Sequence, residues 1–313
     1  VIGSRNADGS GQIALFSSTD ALEWRFERIL DRSGNRYGSM WECPDFFPLD
    51  QKQVLIVSPQ LMRAEGLEFH NGNNSVYFAG EYSDESKEFI RKEAHVIDYG
   101  LDFYAPQTVE TEDGRRVMIA WMQSWDNYLT PEDADWSGVM TIPRELFFQG
   151  ERLMQTPVRE LERYHTEEVV HQDVRLEKKD GAVKLAGVEG RVFDMTVEVQ
   201  ARGFGSFEIT LAADDRNQTS LVYDRNKGTL TTDRTYSGLV RDVLCTRSMY
   251  VEPHNDKLSI RVLMDKYTLE VFVNGGEQAM SSLIYTDLSA ENIRFSCDGS
   301  AVFSVKKYKL DIG

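Results

Sequence analysis

Cysteine, proline, positive charge and long apolar runs are all scarce in this chain, and each scarcity excludes something. The three cysteines, Cys43, Cys245 and Cys297, are odd in number and far apart. They form neither a disulfide framework nor CxxC pairs of the zinc-binding kind, which fits a reducing compartment. Only 8 prolines occur among 313 residues, so a collagen-like reading is out. No apolar run approaches the ~18 residues of a membrane helix. Lys and Arg number 35 against 51 Asp and Glu, a net charge of −16. Such a chain repels phosphate backbones and anionic lipid, so neither nucleic acid nor a membrane is expected as a partner. Together these features predict a cytoplasmic protein.

What is present is enough for folded cores. The length suggests two domains, and 41% hydrophobic with 11% aromatic residues excludes a disordered chain. Val1-Ile2-Gly3-Ser4 has neither a basic region nor a signal-like apolar stretch, and reads as strand interior. A polar turn to Gly11 and a second strand over 12–17 follow. A domain seldom opens inside a hairpin, so the chain is expected to lack its true N-terminus.

Short alternating runs rich in β-branched and aromatic residues fill the first half, at 12–17, 53–57, 75–80 and 116–121. Asp113-Gly114 marks a tight turn. No 3.6-residue apolar period appears before residue 155, so this half is all-β. Its period leaves a sandwich or a propeller open. Blades of ~40–45 residues would give three to four of them here. After Pro157, Val158, Leu161 and Tyr164 or His165 share a face, which predicts a linker helix. Alternation then resumes at 193–199, 207–211, 258–263 and 269–273, with turns at Lys227-Gly228 and Asn274-Gly275. Several short strands with one buried face predict a β-sandwich. The expected domains are 1–156, a linker at 157–168, and 169–313.

Three clusters can carry chemistry. Trp41-Glu42-Cys43-Pro44-Asp45 sets two carboxylates among aromatic rings, where a carboxyl is suited to hold and donate a proton. Trp41 can stack on a sugar while the acids bond its hydroxyls; the alternative is a turn with a surface glutamate. Asp102 and Tyr104 share a face of an extended segment, either as a sugar-binding pair or as a structural tyrosine–aspartate bond. Trp121 and Trp125 stand at a strand end, one of them expected in the core. Cys43 beside Glu42 is a poor nucleophile, since a neighbouring carboxylate raises a thiol pKa. The histidines, His70, His95, His165, His171 and His254, show no ligand spacing, so no metal is expected. GxSxG, GxGxxG and phosphate-loop motifs are absent, and no cofactor is expected.

The strings WECPDFF (41–47), DYGLDFYAPQT (98–108), AWMQSW (120–125) and WSGVMTIPRELF (136–147) resemble glycoside hydrolase family 32, the β-fructosidases. Within it they look most like the bacterial sucrose and sucrose-6-phosphate hydrolases. LEVFVNGGE (269–277) resembles a motif of that family's C-terminal sandwich. The resemblance covers nearly the whole chain in order. It implies a five-bladed β-propeller followed by a β-sandwich, and retaining hydrolysis of β-fructosides by two carboxylates. It implies that Glu42 is the general acid/base, with Trp41, Cys43, Asp102, Tyr104 and Trp121 lining the fructosyl pocket. The family's WMNDPNG-like nucleophile motif and its RDP motif have no match here. The chain is therefore expected to start after both acids and to be catalytically incomplete alone. The alternative is a non-catalytic carbohydrate-binding remnant. Expected partners are a small sugar and, at an unpaired edge, a second copy or the missing N-terminal segment.

Overall fold

The computed structural model describes residues 1–126, 130, 135–239 and 242–312. They form two compact units. The first holds Val1–Asp98, Phe103–Tyr128 and Gly138–Leu153; the second holds Tyr99–Asp102, Leu129–Ser137 and Met154–Gly313. The segment Tyr99–Asp102 of the first half thus groups with the second unit.

The first unit is built from antiparallel meanders. Strands β1 (Ile2–Arg5), β2 (Gly11–Ser17) and β3 (Arg25–Arg32) form a three-stranded sheet in that order. A four-stranded sheet follows from β4 (Trp41–Leu49), β5 (Lys52–Pro59), β6 (Val76–Ser83) and β7 (Glu88–Val96). The next takes β8 (Tyr104–Glu110), β9 (Arg116–Trp121), β10 (Arg144–Gln149) and β11 (Arg152–Pro157). In each sheet neighbours in sequence are neighbours in space, as short turns between alternating runs require. The predicted turn at Asp113-Gly114 joins β8 to β9, with Thr111 N–H bonded to Arg115 C=O at 2.8 Å. Phe47, Val54, Ile56, Met118, Ala120 and Leu146 fill a core shared by the two four-stranded sheets.

The predicted helix is real but short. It is a six-residue 3-10 helix, Arg159–Tyr164, burying only Leu161, and its Tyr164 is exposed. One apolar side chain gives too little burial to extend it into an α-helix. Residues 165–168 of the expected linker instead open β12 (His165–Glu177) of the second unit.

The second unit is a pair of sheets over one core. In the six-stranded sheet, β12 is followed in spatial order by β22 (Ser300–Leu310), β13 (Val192–Gln200), β18 (Lys257–Asp265), β19 (Thr268–Val273) and β20 (Gln278–Leu283). The five-stranded sheet runs β17 (Thr246–Tyr250), β16 (Thr229–Tyr236), β15 (Gln218–Asp224), β14 (Ser206–Ala213) and β21 (Asn292–Cys297). Alternation dictates the packing: Phe193, Met195, Val197 and Val199 of β13 all point into the core, as do Ile260 and Val262 of β18. The turn read at Asn274-Gly275 joins β19 to β20.

The segment 99–102 covers the edge strand β20. Tyr99 N–H bonds Ala279 C=O and Asp102 N–H bonds Ser281 C=O, at 2.8 and 3.1 Å. A side chain at Gly100 would strike the Ser281 backbone at 2.0 Å, so only glycine fits. Asp102 then turns inward. Its Oδ2 accepts from Arg234 Nη1 at 2.5 Å and from Leu283 N–H at 2.7 Å, and both charged side chains are wholly buried. Arg234 Nη1 also donates to Leu283 C=O at 2.7 Å.

Removing one partner of a buried pair strands the other charge without water. Arg234→Met should destabilise the chain by about 3–5 kcal/mol in urea unfolding. The double variant with Asp102→Leu should recover part of that loss. A loss below about 1 kcal/mol from Arg234→Met would contradict this reading.

Candidate active site

Two strands of the first unit open in the same way. β4 begins Trp41-Glu42-Cys43-Pro44, and β8 begins Tyr104-Ala105-Pro106. In each, a polar residue precedes one with positive φ and then a proline. Cys43 has φ 47° and Ala105 has φ 53°. Both lie in a region that residues bearing side chains avoid, at about 1–3 kcal/mol each. Proline has no N–H to offer the ladder. Pairing accordingly slips between Glu42 and Asp45 against β5, and between Tyr104 and Gln107 against β9. Such bulges re-aim the side chains beside them.

The two bulges are tied together. Gln107 Nε2 donates to Cys43 C=O at 2.8 Å. Thr108 donates to Asp45 Oδ2 from its N–H and its hydroxyl, at 2.8 and 2.6 Å. Asp45 is thereby a fastener of the two strands.

Tyr104 links the pair chemically. Its phenol oxygen lies 2.8 Å from Glu42 Oε2 and 3.0 Å from Ser58 C=O. One phenolic proton cannot serve both acceptors fully. With Glu42 ionised, the phenol donates to the carboxylate. With Glu42 protonated on Oε1 the phenol still donates to Oε2; with the proton on Oε2 the acid donates to the phenol oxygen and the phenol turns its proton to Ser58 C=O. Both forms of the carboxyl therefore have a partner. Glu42 Oε1 has none among the described residues. Burial, and next the bond to Glu42, push the Tyr104 phenol well above its ordinary range, so it stays a proton donor.

The other expected pocket residues fall into two groups. Trp121 stands opposite Tyr104 in the β8–β9 pairing and is half-buried. Gly138 leaves room for its indole, since a Cβ there would lie 2.8 Å from Nε1. Cys43 is exposed beside Glu42; partial desolvation, and then the Glu42 charge, raise its thiol pKa. Glu42, Cys43, Tyr104 and Trp121 are thus brought together. Trp41 does not join them. Trp41 has no exposed surface: its indole N–H donates to Tyr37 C=O at 2.6 Å and its ring packs on Phe78. A buried ring cannot stack on a sugar, so its part is to brace the strand. Asp102 belongs to the second unit, where its Oδ2 bonds Arg234 and Leu283 N–H.

Sequence reasoning placed Trp125 at a strand end, with one Trp of its pair expected in the core, and gave Asp126 no role of its own. Trp125 is 61% exposed and stands edge-on against Trp121 at 5.1 Å, the solvent-facing platform expected of Trp41. Asp126 holds the chain at 72–73, accepting from Asn73 N–H at 2.6 Å and Asn73 Nδ2 at 2.9 Å. The signal was the second Trp of AWMQSW followed directly by an acid. Among the described residues no cluster of His, Cys, Asp and Glu is arranged to hold a metal ion. No helix there is long and apolar enough to cross a membrane.

Residues 1–157 match the model of the glycosyl hydrolases family 32 N-terminal domain, and residues 160–310 that of the family 32 C terminal. The chain is 33% identical to a sucrose-6-phosphate hydrolase of Staphylococcus xylosus, covering 99% of this chain and 62% of that protein. It is 34% identical to a raffinose invertase of Escherichia coli, covering 97% and 62%. The structure of a family 32 β-fructofuranosidase from Bombyx mori superposes with a TM-score of 0.82 at 29% identity, over 99% of this chain and 62% of that one. A mutant of the Bombyx mori enzyme has been solved in complex with sucrose. The chain thus spans about 62% of the length of these relatives.

The raised phenols set an alkaline limit. Tyr77 is pushed up by burial in the same unit. Unfolded phenols titrate near pH 10. Below that pH both states keep their protons and the stabilisation is complete. Above it the unfolded chain releases protons that the folded chain keeps, so stability falls as pH rises, by up to about 1.4 kcal/mol per pH unit for each phenol. Between about pH 10 and 12, urea unfolding should show the parent chain losing stability faster than Tyr104→Phe. Identical slopes would contradict a phenol held neutral by burial and Glu42.

Proposed function

Because this chain belongs to glycosyl hydrolases family 32, we propose that it carries the acid/base end of a site that cleaves terminal β-fructofuranosides. The observation that carries the reading is the Glu42–Tyr104–Ser58 arrangement, which gives both protonation states of one carboxyl a partner. In this reading the sheets of the first unit are blades of a five-bladed propeller, and the second unit is the family's sandwich.

Cleavage begins with Glu42 protonated on Oε1 and Tyr104 donating to Oε2. Glu42 gives its proton to the glycosidic oxygen as the glucosyl group departs. The Tyr104 bond to Oε2 stabilises the new carboxylate. In the second half-reaction Glu42 removes a proton from the water that attacks the fructosyl-enzyme. Trp121 and Trp125 offer aromatic surface to the sugar rings. Retention needs a second carboxylate about 5–5.5 Å from the first, as nucleophile. In this reading neither Asp45, bonded to Thr108, nor Asp102, bonded to Arg234, is that nucleophile. The chain alone is catalytically incomplete.

The substrates of this class are sucrose and sucrose-6-phosphate, handled without a cofactor in the cytoplasm. The exposed Trp125 favours one other reading, a sugar-binding module that never turns over. Binding that persists in Glu42→Gln with no hydrolysis in any longer form would select it.

The 313-residue chain should not hydrolyse sucrose or sucrose-6-phosphate at an enzymatic rate. A longer protein containing it should do so, and Glu42→Gln in that protein should lower kcat by about 10²–10⁴-fold or more. Ordinary turnover by the chain alone would overturn its incompleteness. A Glu42→Gln enzyme as active as its parent would overturn the role of Glu42.

A further inference from the structure

Lys307 breaks the pattern of the strand that carries it. On β22, Phe303 and Val305 face the core of the second unit, and position 307 comes next on that face. Lys307 is only 6% exposed, and its stem lies against Phe193, with Nζ 5.6 Å from the ring centroid. Its amine has no hydrogen-bond or ion-pair partner among the described residues. A lysine so deeply buried is ordinarily paired. Burial accordingly holds its pKa below the usual lysine value.

The amine opens into a cavity of about 340 Å³, whose wall also includes Glu167, Glu189, Arg191, Glu291 and Lys309. Glu167 is paired with Lys309 at 2.8 Å. Arg191 is taken up by carbonyls, among them those of Thr286 and Asp287 at 3.2 and 3.0 Å. What remains is one amine donor and the carboxylates of Glu189 and Glu291, which have no partner among the described residues. Around Gly190 the wall is open, with no atom within 4 Å of where a Cβ would stand. Another cavity of this unit, around Asp194, is unlike it, because Arg261 and His165 already occupy that carboxylate.

We propose that the Lys307 cavity binds a neutral polyhydroxylated ligand of monosaccharide size, apart from the Glu42 site. Three acidic and three basic side chains line it, a balance that gives an ionic ligand no advantage. Vicinal hydroxyls suit the groups left over: they accept from the amine and donate to the two carboxylates. The volume is at the lower end for ligand pockets, which fits a single sugar ring.

Reductive methylation with formaldehyde, read at each lysine by peptide mass spectrometry, tests this. Methyl β-D-fructofuranoside is the probe, since it has no reducing end to compete for reagent. Lys307 should be methylated, and about 100 mM probe should slow its reaction at least about fivefold, as mass action requires of a Kd near 25 mM or tighter. Exposed lysines such as Lys227 should react at an unchanged rate. Glu189→Gln with Glu291→Gln should abolish the protection while Lys307 still reacts. Glu42→Gln should leave the protection intact, which keeps this test separate from the reading of the Glu42 site. A Lys307 that does not react at all would mean that the cavity is closed to small solutes. Either that or a reaction the probe does not slow would overturn the proposal.

Discussion

A single phenolic proton, shared between Glu42 and the Ser58 carbonyl, is the constraint around which the first unit is arranged. For that proton to matter, Tyr104 must stay neutral, Glu42 must stay within reach, and one carboxyl oxygen must stay open. Burial secures the first. The twin bulges secure the second, since Cys43 and Ala105 hold strained backbone only because Gln107 and Thr108 lock β4 to β8. The third follows from the geometry itself, because Tyr104 engages Oε2 alone.

Acids that look alike in sequence have different fates here because their neighbours differ. Glu42 has one open oxygen. Asp45, three residues on, gives its Oδ2 to both donors of Thr108 and so ties two strands together. Asp102 is closed by Arg234 and Leu283 N–H, and Asp98 by Arg144 at 2.9 Å, in a pair that is also wholly buried. Pairs without water are expensive to break and add little net stability over apolar packing. Their value lies in fixing position, and Asp102 fixes the segment that covers the edge of β20. A carboxylate so committed is unavailable for chemistry.

Much of this was legible in the sequence. Period-two alternation marked the strands, such as 193–199 and 258–263, because burial on one sheet face leaves that trace directly. Glu42 stood out by its aromatic neighbours, and the joined motifs pointed to the family. Distance hid the rest. Arg234 lies 132 residues from Asp102, and no local pattern announces that pairing. Trp41 was expected as a sugar platform and is buried instead, because alternation cannot tell which ring the Tyr37 carbonyl and Phe78 will bury. The helix at 159–164 was placed correctly, but a single buried Leu161 kept it to 3-10 turns. The twin bulges could have been read: Glu-Cys-Pro and Tyr-Ala-Pro at strand starts each remove a ladder donor at the same step.

The central claim is that the Glu42 carboxyl faces the anomeric centre of a bound fructosyl group. A crystal structure of the chain soaked with fructose tests it most directly. The account predicts the sugar beside Trp121 and Trp125, with its anomeric hydroxyl within about 3 Å of Glu42 Oε1 and the Tyr104 bond to Oε2 retained. Fructose ordered elsewhere in the first unit, with Glu42 untouched, would contradict it.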